Sequence, residues 1–329
     1  MKANDLASQM QKQWPPQLLA LVERAEELSR SLGQGLYLVG GAVRDLLLGR
    51  PNTDLDLVVE GDALELARRL GQTFEGRFLP HPRFGTAKFS QGEWSLDLVT
   101  ARSETYPHPG ALPVVRPGSI QEDLFRRDFS INAMAMRLAP TISERLVDPY
   151  GGKGDLEKGL IRILHPKSFI DDATRIWRAL RYEQRLDFKL EGSTQRFLRR
   201  DVGMLDSISG DRIRHEIELI LKEERPERVF RRAGKLGVLQ QLSPSFVGDR
   251  WLENKFQKVR QLNLRPASRT TIYLCLLLYP LAREEGERLI LRLNMPRAPA
   301  RTLRDSRRLK SNLEALAAAG ISPARIYRM

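Results

Sequence analysis

An apolar run, Leu36 to Val39, stops at two glycines, Gly40-Gly41, and passes straight into a good helix former, Ala42 to Leu48. Such a segment reads as strand, tight turn and helix, which confines this part of the chain to an α/β arrangement. Without Cβ atoms, Gly40 and Gly41 let backbone approach backbone, and the helix start that follows turns unpaired N–H groups toward an anion. Arg44, in the first turn, adds a charged fork suited to phosphate. A triphosphate matches these donors, but a glycine turn of this kind is common and needs a partner motif to be informative.

The partner is Asp54-Leu55-Asp56-Leu57-Val58-Val59. Strand residues at i and i+2 share a face, so Asp54 and Asp56 converge while Leu55 and Leu57 enter the core. Carboxylates that close repel and are costly to desolvate unless a cation lies between them, and two Mg²⁺ ions about 3.5–4 Å apart are the usual solution. Asp97, in the alternating run Trp94 to Val99, is a third carboxylate able to lie beside the pair. An isolated Asp-x-Asp would read as a solvated turn, and Asp97 alone as an exposed strand carboxylate. Continuation of the pair into Leu57-Val58-Val59 favours the strand. The expected chemistry is metal-assisted nucleotidyl transfer from a nucleoside triphosphate, with Asp54 and Asp56 binding metal and Asp97 assisting near the attacking hydroxyl.

At 329 residues the chain exceeds one small core and calls for two or three domains. Its single cysteine, Cys275, lies in the apolar run Ile272 to Leu278, which excludes an internal disulfide and a cysteine-based zinc site; no disulfide-linked partner is expected. Ile272 to Ala282 contains Pro280 and is shorter than the ~20 residues of a membrane span, and Met1-Lys2-Ala3-Asn4-Asp5 does not open a basic-then-apolar leader. The expectation is a soluble cytoplasmic protein with no membrane partner. Charge is divided unevenly: residues 1–150 hold 17 Lys and Arg against 19 Asp and Glu, net −2, whereas the rest hold 37 against 22, net +15. A carboxylate-bearing half joined to a basic half suits an enzyme whose larger substrate is a polyanion.

A leading helix is expected over Leu18 to Leu32. Strands at 36–39, 55–59, 86–90, 94–100 and 131–138 then alternate with helices at 42–48, 62–71 and 120–128, an α/β pattern with a mixed sheet. Tyr106 to Gly118 holds Pro107, Pro109, Gly110, Pro113 and Pro117, reads as irregular, and is a candidate mobile loop near the site. From Asp155 onward strand signals nearly vanish, and 171–186, 193–200, 209–223, 225–235, 249–262, 268–279, 283–293 and 299–317 read as helices. Ser322-Pro323 reads as a helix start with six residues after it, so the sequence is expected to be cut short.

Two further motifs carry candidate chemistry. Arg126-Arg127-Asp128-Phe129-Ser130-Ile131-Asn132 sets two guanidiniums for phosphates beside Asp128 and Asn132, which can hydrogen-bond a ribose hydroxyl. On a helix, Asp172 and Arg175 of Asp171-Asp172-Ala173-Thr174-Arg175 share a face, one accepting and one donating hydrogen bonds. Cytosine and adenine present an exocyclic amine beside a bare ring nitrogen and complement that pair; guanine and uracil present the reverse. Arg178 and Arg181, further along the helix, extend the candidate nucleotide site. A simple helix salt bridge is the plainer alternative.

Gly40-Gly41-x-x-Arg44-Asp45, Asp54-x-Asp56, Arg126-Arg127-Asp128-Phe129-x-x-Asn132-Ala133 and Asp171-Asp172-x-x-Arg175-x-x-Arg178, in this order, closely resemble the class II tRNA nucleotidyltransferase and bacterial poly(A) polymerase family. The resemblance implies an α+β head with a polymerase-β-like nucleotidyltransferase mixed sheet, followed by all-helical neck, body and tail domains. It suggests a leading helix over 1–34, a head over 35–147, a neck over 148–222 and a body with a short tail over 223–329. It further implies two Mg²⁺ ions on Asp54 and Asp56, ribose and triphosphate contacts from Arg127, Asp128 and Asn132, and base reading by Asp172 and Arg175. ATP and/or CTP would be substrates, and the tRNA acceptor arm the partner. Asp148 to Asp155 resembles the family's hinge between head and neck, and Ser209-Gly210-Asp211-Arg212-Ile213 its next neck motif. Members add CCA, only CC or only the final A to tRNA, or polymerise A, and the stretches Tyr106 to Pro117 and Phe169 to Asp172 lean toward A-adding or CCA-adding relatives. A poly(A) polymerase and a non-catalytic RNA-binding relative are the alternatives.

Overall fold

The structure is a computed structural model that describes residues 4–52, 54–74, 76–82, 85–91, 94–138, 146–310 and 322. Packing divides the chain into two units, Met1–His108 with Leu112–Ser168 and Lys189–Thr194, and Pro109–Ala111 with Phe169–Phe188 and Gln195–Met329.

In chain order the elements begin with α1 (Asn4–Gln13), α2 (Pro16–Ser31), β1 (Gly35–Val39), α3 (Gly41–Leu47), β2 (Asp54–Glu60) and α4 (Ala63–Gly71). Next come β3 (Arg77–His81), β4 (Thr86–Gln91), β5 (Trp94–Thr100), β6 (Arg102–Thr105), β7 (Val114–Pro117), α5 (Ile120–Phe125), β8 (Ala135–Arg137) and β9 (Leu146–Val147). α6 (Gly152–Lys158), β10 (Leu160–Ile161), α7 (Ser168–Asp171), α8 (Thr174–Leu186) and β11 (Lys189–Leu190) follow, with β11 pairing in parallel with β10.

Seven strands form one mixed sheet in the order β3-β4-β5-β2-β1-β8-β9. β2 and β5 run parallel, and β1–β2, β4–β5 and β1–β8 are antiparallel. Alternation decides what each face carries. Leu55, Leu57, Leu96, Leu98, Ala87 and Phe89 pack with Leu18 and Leu21 of α2 and Leu66 and Leu70 of α4 in one buried cluster. On the other face Val58 joins Tyr37, Val39, Ile120 and Leu124 in a second, smaller core. The helix α5 thus covers only the far half of β2, and Asp54 and Asp56 at its near end stay exposed.

The second unit contains α8 and then α9 (Gly192–Asp201), most of which lies in this unit, α10 (Gly210–Leu221), α11 (Pro226–Lys235), α12 (Val238–Leu242), α13 (Arg250–Gln261), α14 (Pro266–Leu278), α15 (Arg283–Arg292) and α16 (Arg297–Lys310). Its core is aromatic: Trp177 is fully buried, and Phe256 stacks on Tyr273 at 4.2 Å and meets Phe230 edge-on at 6.2 Å. Among the described residues no helix is long and apolar enough to cross a membrane.

The mixed-sheet head and helical remainder read from the sequence are present, with three differences. Part of the proline-rich stretch is regular, because Val114–Pro117 pairs antiparallel with Arg102–Thr105 in a separate two-stranded ribbon. Prolines are tolerated there because the ribbon has only edges, so a missing N–H need not break an inner ladder. The expected strand 131–138 starts as a 3₁₀ turn at Ser130–Asn132, and only Ala135–Arg137 is strand. Ser130 and Asn132 bond through their side chains to Asp155 and Asp128, an alternative to the ladder. Finally, α1, β3, β9, α6, the short β10–β11 pair and α12 match none of the strands and helices read from the sequence. The expected helix at 299–317 is described only to Lys310, and the helix start read at Ser322-Pro323 falls, apart from Ser322, outside the described residues.

Candidate active site

Strand register sets the carboxylates in order. Asp56 is the direct partner of Asp97 across β2–β5, and Asp97 is the partner of Lys88 across β5–β4, so the three side chains form one row on the open face. One pair along, Asp54 faces Ser95, whose hydroxyl donates to Asp54 Oδ1. Lys88 Nζ lies 3.4 Å from Asp97 Oδ2 and 3.9 Å from Asp54 Oδ1. Burial pushes the Asp56 carboxyl above the ordinary range, with Asp97 and Asp54 adding to the effect and Arg127 and Lys88 opposing it. Its side chain still reaches solvent, so the desolvation is partial and a cation could relieve it.

The donor chemistry fits Mg²⁺: hard carboxylate oxygens on one face, with the Asp54 side chain 75% exposed. Among the described residues no three His, Cys, Asp or Glu side chains are gathered into a metal-holding group. Lys88 lies closer to Asp97 than to Asp54, and Asp54 and Asp56 are the two carboxylates on β2 that would hold the metal.

At the glycine turn, Gly40 has φ +67° and a Cβ there would meet Arg127 Nη1 at 2.7 Å. Arg127 is aimed by Asp123, which accepts from its Nε at 3.2 Å and Nη2 at 2.8 Å, while Arg126 takes the other carboxylate oxygen at 2.7 Å. Burial alone would raise the fully buried Asp123 carboxyl, but Arg127 and Arg126 outweigh it and hold the group below the ordinary range. A capping box between Ser119 and Glu122 starts α5 and so fixes where Asp123 emerges.

Arg44 does not extend a free fork. It is 3% exposed, bonds Asp45 through Nε and Nη2 at 2.9 Å each, and donates Nη1 to Asn132 Oδ1 at 2.6 Å. Asn132 in turn donates to Asp128 Oδ1 at 3.0 Å, and that oxygen also accepts from the Phe129 amide at 2.8 Å. Arg44, Asn132 and Asp128 therefore form one buried chain beneath the turn. Before α6, Asp148 caps the helix by accepting from the amides of Gly152 at 2.6 Å and Lys153 at 2.9 Å.

In the second unit Asp172 is not on a helix but in the break between α7 and α8. Its Oδ1 accepts from the Thr174 amide at 2.9 Å, the Thr174 hydroxyl at 2.7 Å and Arg212 Nη2 at 2.7 Å. The short side chain caps the helix start in preference to continuing it. Arg175 is 4% exposed. Arg181 is buried against Glu216 and Glu223 at 3.7 and 3.6 Å, and Arg178 reaches Glu216 at 3.7 Å, so these two arginines tie α8 to α10 and its continuation.

Sequence reasoning passed over Lys88, Ser95 and Asp123, and placed Arg212 only within a motif. Lys88 and Ser95 alternate outward in their runs, but that signal does not say which strands are neighbours.

The chain matches a Poly A polymerase head domain over residues 36–162 and a "Probable RNA and SrmB- binding site of polymerase A" over 187–248. It also superposes on the Thermotoga maritima CCA-adding enzyme complexed with tRNA, with a TM-score of 0.77, 32% identity, and coverage of 98% of this chain and 80% of that one. The chain belongs to the tRNA nucleotidyltransferase and poly(A) polymerase family. Two family members are similar over more than two thirds of this chain: an A-adding tRNA nucleotidyltransferase of Aquifex aeolicus, 45% identical over 69% of it, and one of Halalkalibacterium halodurans, 43% identical over 68%. The matched regions span only 27% and 54% of those two relatives.

Proposed function

We propose that this protein transfers AMP and/or CMP from ATP or CTP to the 3′ hydroxyl of tRNA and releases pyrophosphate. The reading rests on one observation above all, the row of Asp56, Asp97 and Lys88 on the open sheet face with Asp54 beside it. Asp54 and Asp56 would hold Mg²⁺, two ions in the usual arrangement, which when bound lowers the cost of ionising the attacking hydroxyl and of charge on the triphosphate. Asp97 is the group to take the hydroxyl proton as the 3′ oxygen bonds to the α-phosphorus and the bond to the pyrophosphate oxygen breaks. Arg127, over the glycine turn at Gly40 and Gly41, serves the triphosphate. Asp128 and Asn132 serve the ribose, with Arg44 fixing the Asn132 amide from beneath. Asp172 and Arg175 select the base by accepting from its amine and donating to its ring nitrogen.

The A-adding relatives favour AMP as the nucleotide. The likeness to the Thermotoga maritima CCA-adding enzyme complexed with tRNA supports the tRNA acceptor arm as partner, as does the net +15 of residues after 150. These substrates imply a cytoplasmic enzyme. Within the second unit Trp251 and Tyr279 stack at 5.5 Å and 14°, with Lys255 and Lys310 over their rings, an arrangement suited to RNA bases and phosphates.

The test is incorporation into tRNAs ending at the discriminator base, at the second C and at the full CCA, with each triphosphate supplied separately. Addition of A or C is expected, with G and U excluded, and Asp54→Ala with Asp56→Ala should lower the rate more than about a hundredfold while leaving tRNA affinity intact. Turnover that survives the double substitution refutes the assignment.

A further inference from the structure

Lys88 is the unexplained charge of the site. It stands on β4, at the end of the cross-strand row through Asp97 to Asp56, and its ammonium also comes within 3.9 Å of Asp54. Its side chain is 40% exposed, and among the described residues its ammonium meets carboxylates and no backbone group, so neither packing nor capping accounts for its position. Electrostatics does. Asp54, Asp56 and Asp97 on adjacent positions of one face repel one another, and a single ammonium between two of them offsets part of that repulsion.

We propose that Lys88 is a resident counter-cation of the carboxylate face, which holds Asp97 and Asp54 together before a divalent cation arrives and is displaced when it binds. This rests on the metal-binding reading of Asp54 and Asp56. A monovalent ammonium and a divalent ion compete for the same oxygens, so Lys88 weakens metal binding in the free enzyme while keeping the ligands preorganised. It also keeps Asp97 occupied, which delays its availability as a proton acceptor until the metal is in place.

The experiment is a Mn²⁺ titration of the full chain, without nucleotide or RNA, at low ionic strength, followed by the loss of the free-ion paramagnetic signal. Wild type is compared with Lys88→Met, Lys88→Arg, the double variant Asp54→Asn with Asp56→Asn, and Arg24→Met, which removes one exposed charge on α2. Lys88→Met should bind Mn²⁺ on the order of tenfold more tightly than wild type, because it removes a unit positive charge that lies within 4 Å of carboxylate oxygens on the same face and competes with a divalent ion for them. Lys88→Arg and Arg24→Met should stay within about twofold of wild type. The metal-induced rise in melting temperature should be larger in Lys88→Met, whose carboxylates lack their counter-charge. Equal or weaker binding by Lys88→Met, or tightening of the same size in Lys88→Arg or Arg24→Met, would overturn the proposal. A wild-type titration no better than the double aspartate variant would instead remove the metal reading itself.

Discussion

Gly40 and Arg127 meet so closely that a side chain at residue 40 has no room: its Cβ would fall 2.7 Å from the guanidinium, at a backbone φ of +67°. Arg127 cannot easily retreat, since Asp123 grips it through two nitrogens. The glycine is therefore needed for the arginine's place as much as for the turn. Gly40→Ala should cost about 1–3 kcal/mol of stability through the forced backbone conformation. It should also raise KM for the triphosphate more than it lowers kcat, measured by steady-state incorporation. A stable variant with unchanged KM would argue that Arg127 does not serve the phosphates.

Asp172 has one carboxylate oxygen occupied by Thr174 and Arg212. In the proposed function the other oxygen meets the base, and Arg212 helps decide where it points. Asp172→Ala should reduce discrimination of A and C against G and U by at least about tenfold. Arg212→Ala should reduce it in the same direction without contacting the base. The measurement is kcat/KM for the four triphosphates taken separately. An equal fall for all four would mean that both residues only shape the start of α8.

Glu191 caps α9 by accepting from the Ser193 hydroxyl and from the Thr194 amide at 3.0 Å. Burial opposes its ionisation, but the Ser193 and Thr194 hydrogen bonds and Arg162 win and lower it from 4.5 to about 2. A carboxylate depressed by folding contributes stability fully above its unfolded pKa and loses that contribution as pH falls through the folded value. Glu191→Gln should thus be less stable than wild type near neutrality, by about 1 kcal/mol as for a lost cap. The gap should narrow between pH 4.5 and 2, followed by denaturant unfolding at each pH. A gap that does not change with pH would show that the charge is immaterial.

The Trp251–Tyr279 stack with Lys255 and Lys310 predicts how tRNA binding responds to salt. Each lysine on a duplex phosphate should, on replacement by Ala, make the slope of log affinity against log salt shallower by about 0.9. Trp251→Ala should weaken binding by about 1–3 kcal/mol if a base stacks there, with little change in slope. Filter binding across a salt series separates the two. Unchanged slopes in the lysine variants would place the RNA elsewhere.

Much of the fold is written in local patterns. The glycine turn, the period-two runs around Asp54 and Asp97, and the helical periodicity after residue 155 each depend on near neighbours in the chain, so their type can be read directly. Boundaries and exceptions could not. Asp172 has the spacing of a helix residue, yet its side chain bonds the Thr174 amide and interrupts the helix. The proline-rich stretch has the composition of a loop, yet Val114–Pro117 finds a partner strand in Arg102–Thr105.

For the site the division follows the range of the interactions. Which carboxylates share a strand face could be read from spacing alone, since the two-residue repeat of a strand is a property of the backbone. That β5 lies between β2 and β4, and hence that Lys88 reaches Asp97 and Asp54, emerges only on folding. The same holds for Arg44, which turns inward to Asp45 and Asn132 instead of outward to a ligand. Strand order and the choice of a charged partner depend on residues far apart in the chain, and no local periodicity records them.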